Sequence, residues 1–331
     1  MERHGGNITA FAQEVECKVD EVIDLSSNIN FVKPTIDIDF NSLDISAYPN
    51  YEKLYQAIAT KYGISSSNIE LFNGATVAIH TIFRELNLKH CTLYAPLYGE
   101  YANSAKTYGY KIELINRFKN IEQDIKENSL VIFVNPSTPD GKFYNIDKLM
   151  QIWIEKRCTI LIDESFLDFT PYESTVKYLN SYNRLYILKS MTKFYSSAGM
   201  RIGAIFSNKK SIKELKAKEP LWKISEFDSQ YLQSALRDKS FIQKSNQINS
   251  EAKEYLIALL KESDFIEKIY NSTVNFVLVK LKNITAKEFQ AKVASSKIMV
   301  RDCSNFHFLN DKFVRVAVKN IEKLKTFKGH L

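Results

Sequence analysis

In "KSMTKFYSSAGMRIG" (residues 189–203), Lys193 follows a serine by three residues and precedes an arginine by eight, just past the strand-like "LYILKS". Strands usually end in turn residues. A lysine amine among small polar groups at a strand end is either a solvated charge or a nucleophile beside something anionic and electrophilic. In open α/β sheets, ligands bind beyond the carboxyl ends of the strands, so the residues after each strand-like run carry the argument. "IELF" is followed by Asn73-Gly74-Ala75-Thr76, "TLYA" by Pro96-Leu97-Tyr98 and "VIFV" by "NPSTPDG" (135–141). "TILI" is followed by Asp163-Glu164, and "LYIL" by Lys189, Ser190 and Lys193.

Each set has a chemical use beside a plainer structural one. "NGAT" opens a helix with free N–H groups and a positive dipole end, suited to a phosphate, with Gly74 permitting close approach. Equally, Asn73 or Thr76 caps that helix. Ser190 can donate to the same phosphate and Arg201 can give it a charged fork, although a loop arginine is usually solvated. Asp163 follows four apolar residues, and a carboxylate at the edge of a buried sheet needs a cationic partner, either a basic side chain or a protonated heterocycle. Tyr98 offers a ring to stack on such a heterocycle, though core packing is the commoner fate of a lone tyrosine. A phosphate cradle, an acid for a ring nitrogen, a stacking ring and a lysine amine together make the set that pyridoxal 5′-phosphate requires.

The elements that must position these groups show in the hydrophobic pattern. From about residue 52 to 207, strand-like and helical runs alternate, and "VIFV" and "TILI" are apolar throughout. That predicts an α/β fold with a mostly parallel sheet covered by helices on both faces. From about 226 the pattern shifts to "QINSEAKEYLIALLKES", "STVNFVLVKL", "AKEFQAKVASS", "KIMVRD" and "FVRVAVK", which reads as a smaller α+β domain. The expected organisation is an N-terminal arm over 1–45 packing on the small domain, a large cofactor-binding domain over 46–225 and a small domain over 226–331. The lysine-rich run 208–223 has helical spacing with interleaved glutamates, as a solvated helix face would.

The chain has 331 residues, 45% of them hydrophobic and 25% charged, with a net charge of +7. A basic nucleic-acid-binding module would account for that charge, but the lysines are dispersed among acids. A small anionic substrate would also be served by a positive field. The four cysteines are far apart with no C-x-x-C spacing, which argues against a zinc site or a disulfide framework and fits a reducing compartment. With no apolar leader and no membrane-length run, the expected location is the cytoplasm, with neither membrane nor nucleic acid as partner.

The motifs also carry a likeness. S-x-x-K-x7-R at Ser190, Lys193 and Arg201, "DESF" at 163–166, "NGAT" and "NPSTPDG" resemble, in order, the fold-type-I pyridoxal-phosphate enzymes of the aminotransferase superfamily. "HGGN" (4–7), "DLSSNIN" (24–30), "TKFYSSAGMRIG" (192–203), "KIMVRDCSN" (297–305) and "FVRVAVK" (313–319) resemble in particular its threonine-phosphate decarboxylase branch, related to histidinol-phosphate aminotransferases. The resemblance implies that Lys193 bonds the cofactor aldehyde, Asp163 faces its ring nitrogen and Tyr98 stacks on the ring. Gly74, Ala75, Thr76, Ser190 and Arg201 would hold the cofactor phosphate. Tyr48, in "AYPNY", would reach the cofactor phosphate of a neighbouring subunit, making a homodimer with shared active sites. Arg301 and Arg315 would bind the two anionic ends of a phosphorylated amino acid, with His4 and Asn28 lining the same end.

Three positions depart from the family pattern. Thr138 stands where an asparagine usually bonds the cofactor's phenolic oxygen, Phe166 where many relatives have tyrosine, and Ser225 where asparagine is common. The implied activity is decarboxylation of threonine phosphate to aminopropanol phosphate, used in cobalamin assembly, or of serine phosphate to ethanolamine phosphate. The alternative is a histidinol-phosphate-type aminotransferase. The choice depends on which bond at the α-carbon stands perpendicular to the ring, and that angle is not written in the sequence.

Overall fold

The computed structural model describes residues 5–331. The strands are β1 (Ile23–Asp24), β2 (Ile69–Asn73), β3 (His90–Ala95), β4 (Lys111–Asn116), β5 (Leu130–Val134), β6 (Thr159–Asp163), β7 (Leu185–Ser190) and β8 (Ile202–Phe206), then β9 (Ile266–Ile269), β10 (Phe276–Leu281), β11 (Ile298–Met299), β12 (Arg301–Asp302) and β13 (Phe313–Ala317). The α-helices are α1 (Ile8–Glu14), α2 (Glu52–Tyr62), α3 (Ala75–Leu86), α4 (Glu100–Thr107), α5 (Asp147–Glu155) and the single turn α6 (Met191–Phe194), followed by α7 (Lys209–Lys216), α8 (Glu226–Arg237), α9 (Lys239–Glu262), α10 (Ala286–Ala294) and α11 (Ile321–Lys328).

Seven strands form one sheet in the order β2-β8-β7-β6-β5-β3-β4. Only β8 runs against its neighbours, so the sheet is mostly parallel as the alternating pattern predicts. All five residues of β5 and of β6 are buried, since helices cover both faces. One face packs with α2 and α5 around Leu54, Phe133, Trp153 and Phe194, the other with α3 and α4 around Ile82, Phe83, Leu93 and Tyr101. The crossover order brings the carboxyl ends of β6 and β7 to the middle of the sheet, where the chemistry-bearing residues collect.

The C-terminal residues make an antiparallel sheet, β12-β13-β10-β9, backed by α9, α10 and α11 through Leu256, Leu260, Phe289, Leu324 and Phe327. The N-terminal segment joins this layer. β1 pairs in parallel with β11, and the Ala317 N–H donates to the Leu25 carbonyl.

Two local expectations change. The helix expected over 208–223 stops at Lys216. Pro220 disfavours helical geometry in the residue before it, and Leu221 and Trp222 stand exposed. The long C-terminal helix begins at Lys239, ahead of "QINS". The pattern shift near 226 coincides with α8, whose Leu232 and Ala235 belong to the same apolar cluster as α2 and the large sheet. Among the described residues no helix is long and apolar enough to cross a membrane.

Candidate active site

A cavity of about 500 Å3 lies at the carboxyl ends of the central strands. Of the residues singled out from sequence, Ala75, Thr76, Tyr98, Thr138, Asp163, Ser190, Lys193, Arg201, Asn28, Arg301 and Arg315 line it. Gly74 stands beside it, at the N-terminus of α3. Tyr48 does not line it; its exposed ring stacks on Trp222 with centroids 3.9 Å apart. His4 lies outside the described residues.

The phosphate-type groups converge at the start of α3. Gly74 has φ +86°, and a Cβ there would stand 2.6 Å from Arg201 Nη2. A Cβ on Gly203 would likewise stand 2.6 Å from the Ala75 nitrogen. Both positions must therefore be glycine for the Arg201 guanidinium and β8 to close on the helix N-terminus. Arg201, itself at φ +46°, is braced by an Nη1 bond to the Ala198 carbonyl at 3.0 Å. Ser190 and Thr192 share a hydroxyl–hydroxyl bond of 2.7 Å, and Thr76 Oγ1 stands 3.5 Å from Tyr98 Oη. Helix N–H groups, hydroxyls and one guanidinium make a cradle that fits a phosphate.

Asp163 ends β6 and is buried. Tyr101 Oη donates to Oδ2 at 2.7 Å, while the Ser165 N–H and Oγ donate to Oδ1 at 2.9 and 2.5 Å. Burial pushes its carboxyl above the usual range, and the bonds from Ser165 and Tyr101, with the Lys193 charge, pull it back. The hydrogen-bond donors Tyr101 and Ser165 favour the ionised form but are neutral, and Lys193, the cation that acts on it, is not bonded to the carboxylate. A protonated heterocycle is the partner the position calls for, so the residues fit the cofactor.

Lys193 sits on α6, directly after β7. Burial, helped by the positive charges of Arg201 and Arg315 and opposed by Asp163, brings its amine down to about 8. A lysine near 8 is partly neutral at physiological pH and ready to attack an aldehyde. The cofactor-free protein should therefore take up pyridoxal phosphate at a rate that rises about tenfold per pH unit up to about pH 8 and then levels. Stopped-flow absorbance measures this. A rate still climbing at pH 9.5 would mean an unperturbed amine.

Two arginines make another part of the cavity wall cationic. Arg301 and Arg315 are directly opposed partners across antiparallel β12 and β13, both more than nine-tenths buried. Arg315 donates from Nη1 to Thr138 Oγ1 at 3.1 Å and from Nη2 to the Ser26 carbonyl at 3.0 Å, and its buried Nε has no hydrogen-bond partner among the described residues. Burial brings the guanidinium down to about 10. Arg301 donates to the Asp302 carbonyl and, at 2.8 Å, to Asn305 Oδ1, with its guanidinium 5.3 Å above the Phe306 ring. Asn28 is buried, and its Oδ1 has no partner among the described residues.

Tyr101, Ser165 and Ser26 escaped the sequence reading. Ser165, two residues after Asp163, carried the local signal of a side-chain turn. Tyr101 looks like any core aromatic on an amphipathic helix. Lys189 forms a buried ion pair with Glu164 at 2.7 Å beneath Tyr62, away from the cavity, so it braces the sheet.

The family model for aminotransferase class I and II matches residues 20–331. The chain belongs to that family. It is a pyridoxal-phosphate-dependent enzyme of fold type I, with the cofactor-fitting geometry just described. This aminotransferase-family chain is similar to a Caldanaerobacter subterraneus protein provisionally named threonine-phosphate decarboxylase, at 30% identity over 96% of this chain and 90% of the relative. It is also similar to the histidinol-phosphate aminotransferase of Methanocaldococcus jannaschii, at 28% identity over 94% of this chain and 88% of the relative. Among solved structures, the histidinol-phosphate aminotransferase of Clostridium acetobutylicum superposes with a TM-score of 0.84 and 30% identity, covering 93% of this chain and 97% of that one.

Proposed function

We propose that this enzyme decarboxylates an O-phospho-L-amino acid, threonine phosphate or serine phosphate, to the aminoalkyl phosphate. The observation that carries the reading is the opposed Arg301–Arg315 pair. Like charges facing each other across two strands destabilise a sheet, and burying them adds to the cost. An anion between them removes both penalties. Two guanidinium forks suit a substrate with a carboxylate and a phosphate.

When bound at Lys193, the cofactor supplies an electron sink for the pair released as a bond at the substrate's α-carbon breaks. The chain's own residues do the rest. Arg201, Ser190 and the α3 N-terminus would hold one phosphate, Asp163 would keep a proton on the ring nitrogen, and Tyr98 would cover the ring. Arg301 and Arg315 set the angle of the substrate carboxylate, which decides whether CO2 or a proton leaves. The Lys193 amine, near 8, can hold or deliver the proton that replaces CO2 at the α-carbon. The reading includes a homodimer in which the exposed Tyr48 serves the neighbouring subunit's site.

A histidinol-phosphate-type aminotransferase is the second reading, favoured by the similarity to those enzymes at 28–30% identity. The holoenzyme should be given serine phosphate, threonine phosphate and histidinol phosphate separately, with 2-oxoglutarate present. Steady CO2 from one of the first two, without keto-acid, is the expected result. Amino transfer with no CO2 would replace the decarboxylase reading with the second one.

A further inference from the structure

One wall of the cavity is an irregular strap, Ser26–Ile29, between β1 and the rest of the N-terminal segment. Irregular backbone has no ladder to satisfy its carbonyls, so each must find a donor elsewhere. Here four successive carbonyls accept from side chains of the C-terminal layer. Ser26 takes Arg315 Nη2 at 3.0 Å, Ser27 takes Lys319 Nζ at 3.0 Å, Asn28 takes Asn275 Nδ2 at 2.9 Å, and Ile29 takes the same Lys319 Nζ at 3.0 Å. The far end is fixed to the helix of the cofactor lysine. The Asn30 N–H donates to the Lys193 carbonyl at 3.0 Å and Nδ2 to the Phe194 carbonyl at 2.8 Å. Asn249 Nδ2 holds Asn30 Oδ1 at 2.9 Å.

Lys319 is the unusual member. It follows β13, four residues beyond Arg315, so one segment carries both a substrate-end guanidinium and a strap donor. Its ammonium is largely withdrawn from water, which lowers it to about 8, and no carboxylate lies within ion-pair distance among the described residues. Asp24, the acid that acts on it, is already engaged by the N–H and Oγ of Ser26 and the N–H of Ser27. Withdrawing an unpaired cation is costly, and an apolar side chain would fill the space more cheaply. What only a multivalent donor can do is grip the two carbonyls on either side of Asn28 at once. That grip fixes the backbone of Asn28, a residue that lines the cavity and whose buried Oδ1 has no hydrogen-bond partner among the described residues.

We propose that Lys319 is a positioning residue for substrate: by clamping Ser27 and Ile29 it sets the place of Asn28 in the cavity wall that meets the phosphorylated ligand, and holds the strap against the Lys193 helix. This rests on the phospho-amino-acid reading for the identity of the ligand.

The test uses holoenzyme carrying Lys319→Met, Lys319→Gln or Lys319→Arg. Binding of O-phospho-L-threonine and of inorganic phosphate is read from the cofactor absorbance, beside KM and kcat for CO2 release and the melting temperature. Lys319→Met and Lys319→Gln should weaken O-phospho-L-threonine binding and raise KM about tenfold or more, the scale of a lost charge-assisted hydrogen bond. The loss should fall on KM rather than kcat, with resting cofactor absorbance unchanged. Lys319→Arg, which keeps a cation with several donors, should return binding to within about threefold of wild type. A lowered melting temperature and cofactor occupancy with unchanged KM and ligand affinity would make Lys319 merely structural and overturn the proposal, as would Lys319→Arg failing as badly as Lys319→Met. If wild type releases no CO2, the functional reading fails, and the binding arm alone still decides the role of Lys319.

Discussion

Lys193→Ala should abolish turnover, lowering kcat by about four orders of magnitude or more, the scale seen when an enzyme loses its nucleophile. The reason is geometric as well as chemical. Among the described residues, the cavity contains one other lysine, Lys106 on α4, and that side chain is exposed. Lys189, close in sequence, is committed to Glu164 at 2.7 Å. Borohydride reduction followed by peptide mapping should label Lys193 in wild type and no lysine in the variant. The fold should survive. The Lys193 pKa is lowered in the folded cofactor-free protein, to about 8 from 10.5, so below pH 8 folding must bury a charge the unfolded chain keeps in water. This group therefore adds stability as pH rises from about 8 to about 10.5 and subtracts it at neutral pH. Cofactor-free Lys193→Ala should melt no lower than wild type at pH 7. Retention of more than a hundredth of wild-type turnover would mean that another amine does the chemistry.

How much of this was legible in the sequence depends on how local the signal is. β5 and β6 are unbroken apolar runs because both their faces are covered, so strand identity, parallel topology and the ligand-bearing strand ends followed together. Asp163, Ser190 and Lys193 sit at or just past such ends, and Arg201, just before the antiparallel β8, meets them in one cavity. The opposition of Arg301 to Arg315 was not legible, because it is a matter of register between strands. Arg301 and Arg315 were visible as two arginines, but not as a pair buried opposite each other. Tyr101 and Lys319 were invisible for a related reason. Each acts on a partner distant in the chain, Asp163 in one case and the Ser27 and Ile29 carbonyls in the other. The early stop of α7 was a local signal, Pro220, that the lysine periodicity outweighed in the reading.

Asp163→Asn should be the second most damaging change, lowering kcat by about two to three and a half orders of magnitude while leaving the cofactor bound. Asparagine has nearly the same shape, and its oxygen can still accept from Tyr101 or Ser165. What it lacks is charge. Its hydrogen-bond donors are neutral and the Lys193 charge acts on it without a bond, so a cationic ring nitrogen would be the partner that offsets the burial of the carboxylate. Removing one member of a buried charge pair costs about 3–5 kcal/mol. Entered into the barrier at about 1.4 kcal/mol per tenfold, that gives the stated loss. The cofactor should stay, because the substitution leaves Arg201, Ser190 and the α3 N-terminus, the cradle that fits its phosphate, unchanged. Tyr101→Phe separates charge from mere placement. It removes one neutral donor, worth about 1 kcal/mol, and should lower kcat less than tenfold. If Asp163→Asn and Tyr101→Phe were equally mild, the carboxylate would be a structural acceptor at the end of β6, and the proton on the ring nitrogen would have to be held by some other group.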